Sequence, residues 1–215
     1  MSDPTVFDAN PATAVMSESP LAMSAVTVAT VGAPQGAGVV VRELALLGHL
    51  MLRGSADDAS FVDGVRRALG IELPLAAGQL VLDAARGMSL QWMSPDEWLL
   101  IVPGGAEFDA ERRLRAALSG HFAVINVSGG QTVLELSGPA AVEVLMKSTG
   151  YDVDPAHFAV GKGVGTTFAK TTAVIRRVDT ERWQLVIRRS FADYIYRWVL
   201  DASEEFGVHV ATQRA

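Results

Sequence analysis

One strand-and-helix pattern occurs twice along this chain, and it limits the fold more than any other feature. In the first pass, Val39 to Arg53 reads as a strand or a pair of strands. Asp57 or Asp58 can then cap a helix whose Phe61, Val65, Ala68 and Leu69 share one face, with Gly70 as its stop. Met88, Leu90 and Trp92 alternate with Ser89, Gln91 and Met93, and Ser94-Pro95-Asp96 turns into the apolar run Trp98 to Val102, the signature of a hairpin. A helix from Phe108 to Leu118 and a strand from Phe122 to Val127 complete the order β-α-β-β-α-β.

The second pass repeats it. Val133 to Leu136 is a strand, Ser137-Gly138-Pro139 opens a helix with Val142, Leu145 and Met146 inward, and Gly150 stops it. Val164 to Val178 holds one or two strands, Asp179 to Arg182 turns, and Trp183, Leu185 and Ile187 alternate. Ser190 with Asp193 has capping-box spacing ahead of a helix burying Phe191, Ile195, Trp198 and Ala202, and Val208 to Ala211 can close the sheet. Leu50-Met51-Leu52 matches Leu134-Glu135-Leu136 at an offset of 84, and Trp98 matches Trp183 at 85. The expected fold is α+β: two ferredoxin-like halves read as a duplication, at 38–128 and 129–215, after an N-terminal arm at 1–37 that is mobile or ordered by a partner.

Composition removes several functions. Without Cys there is no thiol catalysis and no thiolate ligand for zinc or iron-sulfur clusters. A net charge of −6 argues against a phosphate-backbone binder. No Lys or Arg precedes Arg42, so a cationic targeting segment is not expected, and a cytoplasmic location is. The longest strongly apolar run, Trp98 to Val102, is far shorter than the roughly 20 residues of a membrane span. A 49% apolar fraction with 20% charge sits at the apolar edge for a soluble protein.

The chemistry-bearing residues give no catalytic, cofactor-binding or metal site. His49, His121, His157 and His209 are scattered, without the i, i+4 spacing of two ligands on one helix. Gly161-Lys162-Gly163-Val164-Gly165 fails as a phosphate loop, because Ala156 and Gly163 stand where Gly and Ser or Thr are needed. It fails the dinucleotide pattern too, since Thr166-Thr167-Phe168 runs into a strand. Asp57-Asp58 and Asp96-Glu97 fall at a helix start and a turn, where capping and solvation account for them. Ser128-Gly129-Gly130 lacks a nucleophile-elbow frame. The one cationic stretch is 176 to 189, net +3, with Arg176, Arg177, Arg188 and Arg189 on neighbouring strands; a salt-bridged protein interface and a solvated edge both fit it. Alternation sends one guanidinium of each pair to each face, and the aromatic pattern of RNA-binding sheets is missing.

These residues also carry a resemblance. The segments Leu52-Arg53-Gly54, Ser94-Pro95-Asp96-Glu97-Trp98-Leu99-Leu100, Asn126-Val127-Ser128 with Leu136-Ser137-Gly138-Pro139, and Arg189-Ser190-Phe191-Ala192-Asp193-Tyr194 resemble the gamma subunits of heterotetrameric sarcosine oxidases. From Asn126 onward the chain is also similar to the first domain of the folate-binding aminomethyltransferases. The resemblance implies a non-catalytic structural subunit of a flavoenzyme that oxidatively demethylates sarcosine to glycine. It would pack with alpha, beta and delta subunits, mainly alpha, and bind neither nucleic acid nor membrane. NAD and tetrahydrofolate would belong to alpha, FAD and FMN to beta, and zinc to delta, with none on this chain. The alternative is an independent, folate-dependent aminomethyltransferase-like one-carbon enzyme. Against it, the stretch comparable to the pterin-holding carboxylate strand is Lys170-Thr171-Thr172-Ala173-Val174-Ile175, without a carboxylate.

Overall fold

The computed structural model of the chain describes residues 17–24 and 36–211. Two strands come first, β1 (Val39–Leu44) and β2 (Gly48–Arg53), then α1 (Ala59–Leu69), β3 (Leu80–Asp83), β4 (Met88–Ser94), β5 (Glu97–Val102), α2 (Glu107–Ala117) and β6 (Ala123–Asn126). The second run is β7 (Gln131–Ser137), α3 (Ala141–Ser148), β8 (Lys162–Phe168), β9 (Thr171–Asp179), β10 (Arg182–Arg188), α4 (Ala192–Ser203) and β11 (Val208–Val210). Leaving β1 aside, both runs read β-α-β-β-β-α-β. The first run contains one strand more than the sequence pattern predicts, β3; in the second, the stretch Val164 to Val178, read as one or two strands, holds two, β8 and β9.

The elements start and stop where local chemistry directs. Asp58 Oδ1 accepts the Ser60 amide at 2.8 Å, and Gly70, at φ +69°, closes α1 by donating to the Arg66 carbonyl, a left-handed position that costs glycine little. The capping box expected at Ser190 is not formed: Phe191 occupies the cap position of α4 and makes no side-chain cap bond, while Asp193 pairs with Arg197 at 2.8 Å. The inward face of α3 is Ala141, Val144, Leu145 and Ser148, and that of α4 is Ala192, Ile195, Tyr196, Val199 and Ser203, both at helical spacing. Met146 and Phe191, expected inside, therefore lie outside at 47% and 42% exposure.

The strands form two sheets, a five-stranded one ordered β3-β4-β5-β2-β6 and a six-stranded one ordered β8-β9-β10-β7-β1-β11. Replacing each strand of the first sheet by its counterpart in the second run reproduces the second sheet, with β1 inserted between β7 and β11. β1 pairs antiparallel to β7, with Arg42 opposite Glu135, and parallel to β11, with Val39 opposite Val208. The boundary at 128/129 is thus not the boundary between the sheets, because pairing across about 90 residues leaves no trace in local periodicity.

Layering follows from alternation. One face of the five-stranded sheet packs Leu50, Leu52, Leu90, Trp98 and Leu100 against Phe61, Val65 and Leu69 of α1 and Leu114 of α2. One face of the other packs Leu134, Leu136, Ile175, Trp183 and Leu185 against Leu145 of α3 and Ile195 and Val199 of α4. Each fully buried side chain of this size contributes ~2 kcal/mol. The remaining faces meet through Leu99, Ile101, Val133 and Val186. The molecule is an α-β-β-α stack whose sheets also touch at one edge, where the Leu80 amide donates to Gly161 O and the Gly163 amide to Gly78 O, each at 2.8 Å.

Part of the expected arm is docked on the second half. Leu21 is buried in its core, Ser19 Oγ donates to Glu43 at 2.7 Å, and Ser24 Oγ donates to Asp193 at 2.7 Å. The rest of the arm, 1–16 and 25–35, lies outside the described residues. Among the described residues no helix is long and apolar enough to cross a membrane.

Candidate functional site

Three places bring chemistry-bearing side chains together. The first is an open groove of about 1100 Å³ at one end of the five-stranded sheet, lined by Arg53, Asp57, Asp58, Trp92, Asp96 and His121. Asp57, Asp58 and Asp96, from the two carboxylate pairs singled out in the sequence, converge here, but Asp58 and Asp96 are committed. Asp58 accepts from both the amide and hydroxyl of Ser60, and Asp96 accepts from Arg53 at 2.5 Å and from Ser94 at 2.9 Å. These bonds hold both carboxyls below the usual range, so at neutral pH neither has a proton to deliver. The groove is a surface ion-pair cluster with an apolar floor.

The second place is the layer between the sheets. Arg176 is 1% exposed and donates to Ser89 Oγ across the layer at 2.8 Å, while its Nε and Nη1 have no hydrogen-bond partner among the described residues. Burial draws its pKa down to about 10, leaving it charged at neutral pH. His49, fully buried, holds its Nδ1 3.0 Å from Leu47 O, which places the proton on Nδ1. Burial, and secondarily the Arg176 charge, pushes its pKa down to about 4, so the ring stays neutral. Gln91 spends its amide nitrogen on carbonyls, among them Trp92 O at 2.9 Å, and Gly163 leaves room for it, because a Cβ at 163 would overlap Gln91 Oε1 and force that side chain to shift. This polar layer was not anticipated. Its only sequence signal is an arginine inside the β-branched run Val174-Ile175-Arg176, where strand alternation sets it on the same face as Val174.

The third place is the arginine stretch, which divides. Arg176 and Arg177 point to opposite faces and both are buried. Arg177 donates to Phe158 O at 2.7 Å and Thr180 O at 3.0 Å, and its guanidinium lies 5.3 Å from the Trp183 ring centre. Of the four arginines expected at a contact surface, Arg176 and Arg177 are buried inside the chain, and Arg188 and Arg189 are exposed.

The other candidates are spent locally. Lys162 folds over the Phe158 ring at 4.9 Å and donates to His157 O, so it does not project from a phosphate-binding loop. His157 pairs with Asp152 at 2.7 Å on the surface. Among the described residues no three His, Asp or Glu cluster as metal ligands. In the stretch compared with the folate-binding strand, Ala173 and Ile175 face the helix-side core and Val174 the inter-sheet layer, so these three offer a pterin no polar group, and Lys170, Thr171 and Thr172 beside them supply no carboxylate.

Comparison with known proteins agrees across sequence and fold. Residues 53–205 match the sarcosine oxidase, gamma subunit family. The chain is 38% identical to the sarcosine oxidase subunit gamma of Arthrobacter sp. over 179 residues, 81% of this chain and 84% of the relative. It is 37% identical to the corresponding subunit of Corynebacterium sp. strain P-1 over 169 residues, 78% and 81% of the two chains. A chain of the heterotetrameric sarcosine oxidase from Corynebacterium sp. U-96, solved in complex with pyrrole 2-carboxylate, superposes with a TM-score of 0.81 at 30% identity, covering 93% of this chain and 99% of that one. The glycine cleavage system aminomethyltransferase T of Bartonella henselae shares the fold, at a TM-score of 0.66 and 16% identity, over 89% of this chain and 58% of that one.

Proposed function

This chain belongs to the sarcosine oxidase, gamma subunit family, and from that premise we propose that it is the non-catalytic structural subunit of a heterotetrameric flavoenzyme that oxidatively demethylates sarcosine to glycine. The observation that carries the structural role is the internal commitment of its polar groups: the groove carboxylates serve Ser60 and Arg53, and Lys162 covers an aromatic ring. FAD, FMN, NAD, tetrahydrofolate and zinc belong to the partner subunits in this reading, and the large folate-binding alpha subunit is the main neighbour. A tetrahydrofolate site does not fit the residues of this chain, since Ala173-Val174-Ile175 is packed and apolar where a carboxylate is required. The location is cytoplasmic.

The fold is read the same way. Two ferredoxin-like halves descend from one duplicated unit, a view supported by the shared β-α-β-β-β-α-β order, by matching strand orders once β1 is set aside, and by buried Trp98 and Trp183 at equivalent positions.

The test is co-expression of the four subunits with and without this chain. Omission is expected to leave the remaining subunits poorly assembled and sarcosine oxidation sharply reduced. Full assembly and activity without it would overturn the structural role. Calorimetric titration of tetrahydrofolate into the isolated chain is expected to show no micromolar binding; a signal there would favour an independent one-carbon enzyme instead.

A further inference from the structure

We infer that the exposed face built from Arg188, Arg189, Phe191 and Tyr194 docks a carboxylate-bearing surface of another oxidase subunit, with Phe191 entering an apolar socket between the carboxylates. This deepens the gamma-subunit reading and rests on it. The argument begins with an exception. Every other arginine side chain among the described residues has a partner: a carboxylate for Arg42, Arg53, Arg182, Arg197 and others, a carbonyl for Arg67 and Arg177, and the Ser89 hydroxyl for Arg176. Arg188 and Arg189 have none among the described residues, although the chain carries 24 acidic side chains against 18 basic ones. Two adjacent unneutralised guanidiniums in an anionic chain are complementary to acid on a neighbour, and electrostatics of this kind sets orientation and on-rate at an interface.

The apolar component sits beside them. The single turn Arg189–Phe191 buries no residue, and Phe191 and Tyr194 are 42% and 37% exposed at the start of α4. Arg197 neutralises Asp193 in the same turn, so the nearby acid does not cancel the arginines. Ser24 is tied to Asp193 at 2.7 Å, which holds the segment before β1 against the start of α4. Arginine and aromatic side chains are the types enriched at protein interfaces and their energetic centres. Nucleic acid suits the face less well, because two charges neutralise few phosphates.

The experiment co-expresses the other three subunits with this chain carrying R188E/R189E, or separately F191S, and reads the fraction of this chain retained in the purified complex on washing at low and high salt. The double variant is expected to associate about tenfold or more weakly at low salt, with the difference shrinking at high salt. F191S is expected to weaken association at both. The isolated R188E/R189E variant should keep the parent melting temperature, since neither arginine has a partner among the described residues, and R188K/R189K should retain most of the affinity. If the parent chain assembles and the double variant assembles as tightly with the same salt dependence, this face is not the contact, while the subunit reading stands. If the parent chain itself fails to associate, both fall. If assembly is unchanged but the double variant loses retention on single-stranded nucleic acid, the face serves nucleic acid and the inference is wrong.

Discussion

The first half completes its sheet with its own strands, whereas the second incorporates β1, which precedes the whole first half in sequence, between β7 and β11. The inter-sheet faces differ in a matching way. His49 and Ser89 of the first half stand where the second has Val133 and Val174, while Glu135 and Arg176 of the second stand where the first has Met51 and Gln91. The same scaffold thus carries polar groups in different rows on its two copies, and the Arg176 to Ser89 bond joins two of those unlike positions. Equivalent backbone positions in a repeated fold need not have equivalent stability or chemistry.

The largest test of that comparison removes β1. A chain beginning at Leu47 should keep amide protection in 48–126 but lose it across 131–210, because β7 and β11 no longer have the strand that joins them, forfeiting most of a domain's ~5–15 kcal/mol. Equal protection in both halves would show that the second sheet closes without β1.

Next come the paired tryptophans, both 1% exposed or less. Trp98→Ala and Trp183→Ala should each cost about 3–5 kcal/mol in denaturant unfolding. Replacement by Phe separates them. Trp98 Nε1 donates to Pro74 O at 2.7 Å in a buried bond, so Trp98→Phe orphans that carbonyl and costs ~1–3 kcal/mol beyond packing, a loss Trp183→Phe does not incur.

A pH series then isolates His49. The unfolded ring takes up a proton near pH 6.5, while the folded one resists until about pH 4. The unfolded state therefore binds more protons in that window, and stability falls as the pH drops through it, by about 3 kcal/mol in all. His49→Val, which installs the residue found at the equivalent position of the second half, should flatten the profile between pH 6.5 and 4. The smallest effect is at Arg176. Arg176→Met exchanges a buried cation lacking a carboxylate partner for an apolar side chain of similar length and should stabilise by ~1 kcal/mol in chemical denaturation. A loss of several kcal/mol would mean that the guanidinium is compensated within the layer.

Much of the architecture was legible because it is local. The Asp58 cap, the Gly70 stop and the Met88 to Val102 hairpin each depend on neighbours within a few residues. β3 escaped because Leu-Val-Leu-Asp is too short to show alternation, and its place is fixed by pairing with β4. The helix faces of α3 and α4 were read one residue off because Met146 and Phe191 are apolar yet exposed, so hydrophobicity alone misled the phase. All four arginines stand as contact candidates in the sequence because their charge is visible there, while the second sheet that buries Arg176 is not.

The position of β1 also bears on how the protein is made. Val39 pairs with Val208, so β1 leaves a ribosome long before the strand it pairs with in parallel, and its sheet cannot close until that strand has followed. The five-stranded sheet can fold as soon as residue 126 is clear, whereas the six-stranded sheet is necessarily a late, high-contact-order event. Until residue 210 has been synthesised β1 is an unprotected apolar edge, so co-translational chaperone contact should concentrate on Val39–Leu44, and the arginine face at 188–194 should become presentable to partners only after that closure.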